Sequence, residues 1–575
     1  MRRYYLFICS LILLSTLVLR FGLRYGTDTA LYHLVVMTII EAGVYGVLRA
    51  THLIAGRRAF RVVMHSLLFI NLFVLLQLYV LILGSNVFWK KTITFSVLKN
   101  YFRKFGDFIA SMPVEPWIFY FAYGALLAIC VGLYVVLRPR SAVLIAQWEN
   151  ARKHRQRIAV GALALLLAVF ALKTPLIRFK RIMQFGEEPV LQFAFGNLWG
   201  GGNEVAFDRQ RYELGRRDAA CFDSLGVRPG NSAHNVVVIL LDALRADHLP
   251  AYGYGRQTAP FLDSLSRSGS LMKVKRAFSN STNTVGGVAG LFYSRDWESF
   301  GYTGLNLMKY LKGAGYTTYA FLTGYHRDWF GLSALYRSSS DHYFESPKDP
   351  DIPPDDDMVT LRAIESAKLD RPGFLYIHLL STHTIGKKHA EFRRFLPDKI
   401  GLGADQRTAL VNNYDNGILQ ADFVLRRLFA KFRRDGILQD CTVFILADHG
   451  ELFGEGGQWS HGGSVHPALL SIPLFIWDSN REWYRNLESA TLKDIAPTVI
   501  DRIGYPVPAC WEGSSLHALP HDFSMPVNAV STCDFPYGRL EHRDSLVSLL
   551  VMDPQKRIRQ KWRMDLGQWR QQQVP

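Results

Sequence analysis

Five long apolar runs come first along the chain: Tyr4 to Leu19, Leu31 to Leu48, Val62 to Leu83, Trp117 to Leu137 and Ile158 to Leu172. Each is near or slightly under the roughly 20 residues with which a helix crosses a hydrocarbon core, so the pattern predicts five membrane spans within residues 1–172. Arg2 and Arg3 precede the first run, but Arg20-Phe21-Gly22-Leu23-Arg24 follows it instead of a small-residue cleavage site. It therefore reads as an uncleaved span and not as a signal peptide. From Asn235 onward the rhythm changes to short apolar runs, Val236 to Leu241, Thr317 to Leu322, Phe374 to Leu380, Thr442 to Leu446 and Pro473 to Trp477. Continuous runs of this length are strands buried on both faces of a mainly parallel sheet. Helical spacing separates them over Pro260 to Arg267, Leu305 to Gly313, Asp405 to Arg434 and Leu492 to Ile503. The pattern predicts a transmembrane domain (1–172), a linker and wrapping segment (173–234) and a doubly wound α/β domain (235–575). Ligands of such a domain sit beyond the C-terminal ends of its strands.

The net charge of +17 invites a nucleic-acid partner until it is located. Residues 1–175 hold 20 Lys/Arg against 5 Asp/Glu, and the remainder 46 against 44, so the outer domain has no basic footprint and no nucleic acid is expected. With the N-terminus inside, inner segments carry 12 Lys/Arg and outer segments 7, which predicts a domain facing the periplasm or cell exterior. The outer loop from Ser85 to Pro116 mixes seven Phe, Trp and Tyr residues with five cations, a composition suited to the headgroup layer. Glu41, within the second run, is either a functional acid or a bundle-interior group near His33. Cys221, Cys441, Cys510 and Cys533 allow up to two disulfides whose pairing the spacing leaves open.

Polar residues interrupt the apolar pattern where strands end. Asp242 closes the first strand, Asp448-His449-Gly450-Glu451 follows the strand Thr442 to Leu446, and His383 follows the strand Phe374 to Leu380. His461 lies in Trp459-Ser460-His461-Gly462-Gly463. Two carboxylates and an imidazole at strand ends make a plausible oxygen/nitrogen site for zinc or manganese. Phe278 to Gly287 supplies a Ser/Thr-rich turn into a small-residue helix, where a hydroxyl could act as nucleophile and amides could hold a phosphate.

Taken in order, Asp242, the Thr284 turn, Asp448-His449-Gly450-Glu451 and His461 resemble the alkaline phosphatase superfamily, in its membrane-anchored branch of phosphoethanolamine and phosphoglycerol transferases related to lipoteichoic acid synthases. Asn412-Asn413-Tyr414-Asp415-Asn416-Gly417-Ile418-Leu419-Gln420-Ala421-Asp422 is similar to the family's N-x-Y-D-N-x-I-x-x-x-D helix, and His383-Thr384-Ile385-Gly386 to its H-T-[IM]-G. Gly324-Tyr325-His326-Arg327-Asp328-Trp329-Phe330 resembles a headgroup-pocket stretch, and Ala289 to Arg295 the end of the sulfatase active-site motif, whose Gly lies ten residues after the nucleophile. Counting back ten from Ser294 selects Thr284 over Ser281 and Thr282. The sulfatase Cys-x-Pro-x-Arg is absent, and Ala243 stands where its second Asp would be.

The resemblance implies an inner-membrane enzyme that moves a phospholipid headgroup, phosphoethanolamine or phosphoglycerol, to an envelope lipid or glycan through a phosphothreonine. It assigns Zn2+ or Mn2+ to Asp242, Thr284, Asp448 and His449, binding of the phosphoryl oxygens or acid and base roles to His383 and His461, and substrate contacts to Trp329, His326 and Asn416. Two departures matter. Asn280 and Gly290 stand where lipid A-modifying relatives often carry cysteines, and Gly290-Leu291-Phe292-Tyr293 and Trp459-Ser460-His461-Gly462 also resemble a five-span branch of lipid-sensing regulators. A regulator of envelope biogenesis, or a phosphatase or sulfatase-type hydrolase, is the alternative.

Overall fold

A computed structural model describes residues 1–22, 27–89, 98, 106, 109, 112–150, 189–195, 209–230, 233–327, 332–349, 352–401, 405–518, 522–528, 537–543, 546–552, 558–565 and 568–573. The chain divides into two compact units, one built mainly on residues 1–95 and 117–199, the other on 96–116, 200–531 and 535–575.

Among the described residues of the first unit, four helices are long and apolar enough to cross a membrane: Arg2–Gly22, Thr29–Ile54, Arg57–Ser85 and Pro116–Leu137. The expected fifth span, Ile158 to Leu172, lies outside the described residues. The helices bury Tyr4, Ile8, Leu48, Phe60, Leu68 and Leu72 against one another while Leu6, Phe121 and Val136 point outward, the inside-out apolar surface that lipid favours. Polar groups inside the bundle pair across helices. Asn71 Nδ2 donates to both oxygens of Glu41 (3.0 and 3.2 Å), and His33 Nε2 meets the Tyr79 hydroxyl at 3.0 Å. Glu41 is thus buried in the bundle with Asn71, on the next helix, as its partner.

In the second unit, β1 (Asn235–Leu241), β4 (Thr317–Leu322), β6 (Gly373–Leu379) and β7 (Cys441–Leu446) appear within a residue or two of the apolar runs. Their Val, Ile and Phe side chains suit a pleated surface covered on both sides, and nearly every position is buried. With β2 (Met272–Lys273), β5 (His342–Glu345) and β9 (Leu474–Trp477) they form a seven-stranded sheet in the order β2-β9-β7-β1-β6-β4-β5. The five strands from β7 to β5 run parallel; β9 is antiparallel to β7, and the edge strand β2 is antiparallel to β9, while β3 (Arg276–Phe278), β8 (Ser471–Ile472) and β10 (Ser489–Thr491) form a separate three-stranded sheet in the order β10-β3-β8. The central neighbours β7, β1 and β6 all end on one side, which is why residues far apart in sequence converge there.

The 29-residue helix Gln406–Arg434 is started by Asp405, whose carboxylate accepts from Thr408 N at 2.9 Å. The wrapping segment carries the helix Arg209–Leu225, tied to the domain by the Cys221–Cys510 disulfide, by an Asp218–Arg295 ion pair and by Phe222 against Tyr310. Among the described cysteines, Cys441 is free and buried in β7.

One element was not anticipated. After residue 522 the chain forms an antiparallel meander of β11 (Phe523–Asn528), β12 (Tyr537–Arg543), β13 (Leu546–Met552), β14 (Ile558–Asp565) and β15 (Gln568–Gln572). Val547, Leu549 and Val551 of β13 face inward with Met525, Val527 and Leu540, packing on Phe278, Val465 and Leu470. Short strands buried on one face only leave a weak period-two signal, and this one was missed.

Candidate functional site

Asp242 follows β1 directly, and the turn it starts is strained: Ala243 takes a left-handed φ of 60°. Tyr414, from the long helix, holds that turn. Its hydroxyl donates to Ala243 O and accepts from Arg245 N, both at 2.7 Å. Arg245 in turn donates to Glu451 O (2.9 Å) and Glu455 Oε1 (2.7 Å), fixing the loop after β7.

Asp448, at the end of β7, accepts on Oδ1 from Ala243 N (3.1 Å) and His449 N (3.0 Å). His449 Nδ1 lies 2.8 Å from Gly450 O, and because a carbonyl only accepts, Nδ1 carries the proton and Nε2 presents a lone pair. That Nε2 is 3.2 Å from Thr284 Oγ1, 3.4 Å from Asp448 Oδ2 and 3.7 Å from Asp242 Oδ1.

Thr284 is the first residue of the helix Thr284–Tyr293, capped by Asn283, whose side chain accepts from Gly286 N at 3.1 Å. Gly287 brings this helix against the loop after β7, since a Cβ there would collide with the Asp448 carbonyl oxygen. The helix ends at Ser294 with φ 49°, the left-handed position that the related motif gives to Gly. Ser294 Oγ donates to Lys493 O (2.7 Å) and accepts from Gly513 N (3.0 Å).

Asp242, Asp448 and His449 each offer an atom within 4.8 Å of the others. Asp242 Oδ1 and Asp448 Oδ2 are buried with no hydrogen-bond partner. Burial without a donor is costly for a carboxylate oxygen, and two such oxygens beside an imidazole lone pair fit a divalent cation of the zinc or manganese class. Burial raises the pKa of both carboxyls. At Asp242 the His383, His378 and His449 imidazoles outweigh it and the carboxyl is held low, whereas Asp448 is raised further by the Asp242 charge.

Two more imidazoles border this cluster. The His461 ring lies 4.4 Å from that of His449 and 5.0 Å from that of His383, centre to centre. Burial disfavours charge on His461, but Glu451, 3.1 Å from Nδ1, overrides it and carries the pKa up to about 9. Burial lowers His383 to about 4 against the pull of Asp242. The pair thus presents one charged and one neutral imidazole at neutral pH.

The structure brings Asp242, Thr284, Asp448, His449, His461 and His383 together. His326 and Asn416 are not at this surface. His326 is buried with both nitrogens occupied, Nε2 by Thr323 O at 2.9 Å and Nδ1 by the Tyr336 hydroxyl, and its ring packs on His378. Asn416 spends its whole carboxamide on a loop: Oδ1 accepts from Arg394 N and Phe395 N, and Nδ2 donates to Phe395 O and Asp398 Oδ2. Neither has capacity left for a substrate. Trp329 lies outside the described residues.

Three contributors were missed. His378, buried in β6, holds Asp242 Oδ2 at 3.0 Å, and a lone polar residue inside an apolar strand was its signal. Asp357 caps the turn after β6, accepting from Leu380 N and Ser381 N at 2.8 and 2.9 Å. Lys388, lowered by burial to about 7, donates to His383 O at 2.6 Å.

Residues 234–505 match the sulfatase family. The phosphatidylethanolamine transferase Mcr-2 of Escherichia coli is 22% identical over 298 residues, 46% of this chain and 53% of that protein. The phosphoethanolamine transferase EptA of Helicobacter pylori is 24% identical over 259 residues, 43% of this chain and 48% of its own length. The chain thus spans about half the length of these relatives. The integral membrane lipooligosaccharide phosphoethanolamine transferase A of Neisseria meningitidis aligns over 87% of this chain and 96% of its own, at 16% identity and a TM-score of 0.47. Residues 234–505 are therefore a sulfatase-like domain by their family match, carried on a chain whose described N-terminal helices are apolar enough to cross a membrane.

Proposed function

We propose that the protein transfers phosphoethanolamine from a phospholipid to an envelope lipid or glycan, through a phosphothreonine at Thr284. One observation carries this reading: a hydroxyl at a helix N-terminus faces an imidazole lone pair and two donor-free carboxylate oxygens. Asp242, Asp448, His449 and Thr284 would hold the cation. A zinc or manganese ion bound there supplies charge neutralisation and a lowered hydroxyl pKa.

Thr284 Oγ1, having released its proton to solvent, attacks phosphorus in line with the glycerol oxygen; the Oγ1–P bond forms and the P–O bond to diacylglycerol breaks. His461, kept protonated by Glu451, gives its proton to that leaving oxygen. In the second half-reaction neutral His383 takes the proton of the acceptor hydroxyl, which displaces Thr284 from phosphorus. The positive end of the Thr284–Tyr293 helix favours the phosphoryl charge throughout. Phosphoethanolamine is preferred over phosphoglycerol because the similar proteins Mcr-2 and EptA are a phosphatidylethanolamine and a phosphoethanolamine transferase.

The domain would face the periplasm. The 12-to-7 excess of Lys/Arg on inner segments supports that topology, and so does the Cys221–Cys510 disulfide, which an oxidising compartment permits. Reporter fusions at residue 175 should be active outside the cytoplasm and fusions at 145 inactive; the reverse would overturn it.

The catalytic test is mass spectrometry of the intact chain after incubation with phosphatidylethanolamine. Phosphoethanolamine on the Thr284 peptide, lost in Thr284→Ala with metal content unchanged, is the expected result. Modification at Thr282 or Ser281 would refute the choice of nucleophile. Lipid binding with neither adduct nor diacylglycerol formed would favour the lipid-sensing regulator.

A further inference from the structure

The stretch Trp459-Ser460-His461-Gly462 carries a second side chain beside the site, which the mechanism leaves unused. Among the described side chains of the sulfatase-like domain, Trp459 is the one exposed aromatic, open over 38% of its surface. Its place is nevertheless fixed. Phe453 and Trp459 pair as an antiparallel bridge, Gly454 N donates to Gln458 O at 2.9 Å, and Ser460 N to Leu452 O at 3.1 Å. The indole lies on Gly454, where φ is +97° and a Cβ would sit 2.9 Å from the six-membered ring. Ser460 then takes a left-handed φ of 65°, a conformation that a non-glycine residue keeps only where its surroundings demand it. One residue past His461, Gly462 N donates to Thr282 O at 2.8 Å, which sews the loop to the turn leading into Thr284. His461 and Trp459 are thus delivered together, their Cα atoms within about 8 Å of each other.

The direction of the reaction says what the indole meets. In-line transfer puts the atom that leaves phosphorus opposite Thr284 Oγ1, on the side where His461 supplies a proton. Whatever hangs on that oxygen extends past His461, along the loop that carries it. In a phospholipid donor this is the glycerol with its acyl esters, while the ethanolamine is held through a different oxygen. An ammonium is also disfavoured here, because Glu451 keeps the His461 ring charged. An indole combines a large apolar body with one N–H donor, a match for acyl-chain roots and an ester carbonyl.

We infer that Trp459 binds the leaving-group side of the donor, packing on its glycerol and the first methylenes of its acyl chains, and so selects a diacylglyceryl phosphodiester over a soluble one. The inference rests on headgroup transfer with His461 at the leaving oxygen. Trp459 takes no part in the bond changes, so its removal acts on donor binding.

The test is calorimetric titration of the full chain in amphipol, carrying Thr284→Ala to stop turnover. The two ligands are dihexanoylphosphatidylethanolamine and glycerophosphoethanolamine, which has the same phosphodiester without acyl chains. Adding Trp459→Ala should raise the Kd of the diacyl compound about tenfold, the effect of roughly 60 Å² of apolar surface left in water, and leave the other unchanged. Trp459→Phe, which keeps a ring on Gly454, should lose less. Equal Kd values with and without the indole, or no saturable binding of the diacyl compound, would overturn the inference. The same loss for both compounds would overturn it too, placing the indole at the headgroup or in the shape of the loop. Release of dihexanoylglycerol by the wild-type chain is measured alongside. Its absence, with the difference in Kd intact, would refute headgroup transfer and still support the contact.

Discussion

Gly287→Ala tests whether the approach of the nucleophile helix to the loop after β7 sets the site. The added methyl would sit against the Asp448 carbonyl oxygen, where ordinary contact begins near 3.4 Å. Neither side can yield cheaply, because the atom met is backbone between an orphaned carboxylate and the His449 ring. The helix and loop must therefore part by about 1 Å, an overpacking that costs roughly 1–3 kcal/mol. The displacement falls on the 3.2 Å separation of Thr284 Oγ1 from His449 Nε2. Misplacement on that scale costs on the order of 100-fold in turnover. The assay is diacylglycerol release from phosphatidylethanolamine by the purified full chain, with bound metal and melting temperature measured on the same sample. Gly255→Ala, where the methyl meets open space, is the control and should behave as wild type. A folded Gly287→Ala protein with undiminished turnover and metal would refute the reasoning.

Tyr414→Phe leaves Ala243 O and Arg245 N without their partner in a buried turn, so about 1–3 kcal/mol should be lost in denaturant titration, with weaker retention of metal against a chelator. His466 caps the helix Pro467–Leu470 through Nδ1, which accepts from Ala468 N at 3.1 Å, and burial lowers its pKa to about 4. Its contribution is complete above the unfolded value near 6.5 and fades as pH falls toward 4, by about 2–3 kcal/mol. His466→Asn keeps a cap without titrating, so its unfolding midpoint should vary less over that window; parallel pH profiles would contradict this. Cys510→Ser opens a crosslink between residues 289 apart and should cost about 2–5 kcal/mol while exposing the helix Arg209–Leu225 to protease, and unchanged proteolysis would show that the Asp218–Arg295 pair suffices.

What the sequence alone determined was local. Apolar runs long enough for lipid and short runs rich in Val and Ile marked the four described long apolar helices and the central strands, because hydrophobic periodicity depends only on neighbours along the chain. Strand-end placement was equally legible for Asp242, Asp448 and His383, since parallel strands deliver their C-terminal residues to one edge. The tertiary structure decided which polar residues have hydrogen-bonding capacity to spare. Asn416 and His326 share motifs with site residues, yet each exhausts its donors and acceptors on segments remote from it in sequence or folded back upon it. Tyr414 appeared as part of a helix motif, and only folding showed that its hydroxyl clamps the strained turn after Asp242, 171 residues away. The same holds for the Val114–Ile400 bridge and the Cys221–Cys510 pairing, contacts between residues with no common local pattern. A side chain's chemistry is written at its own position, but the burial and partners that direct it come from chain brought in from elsewhere.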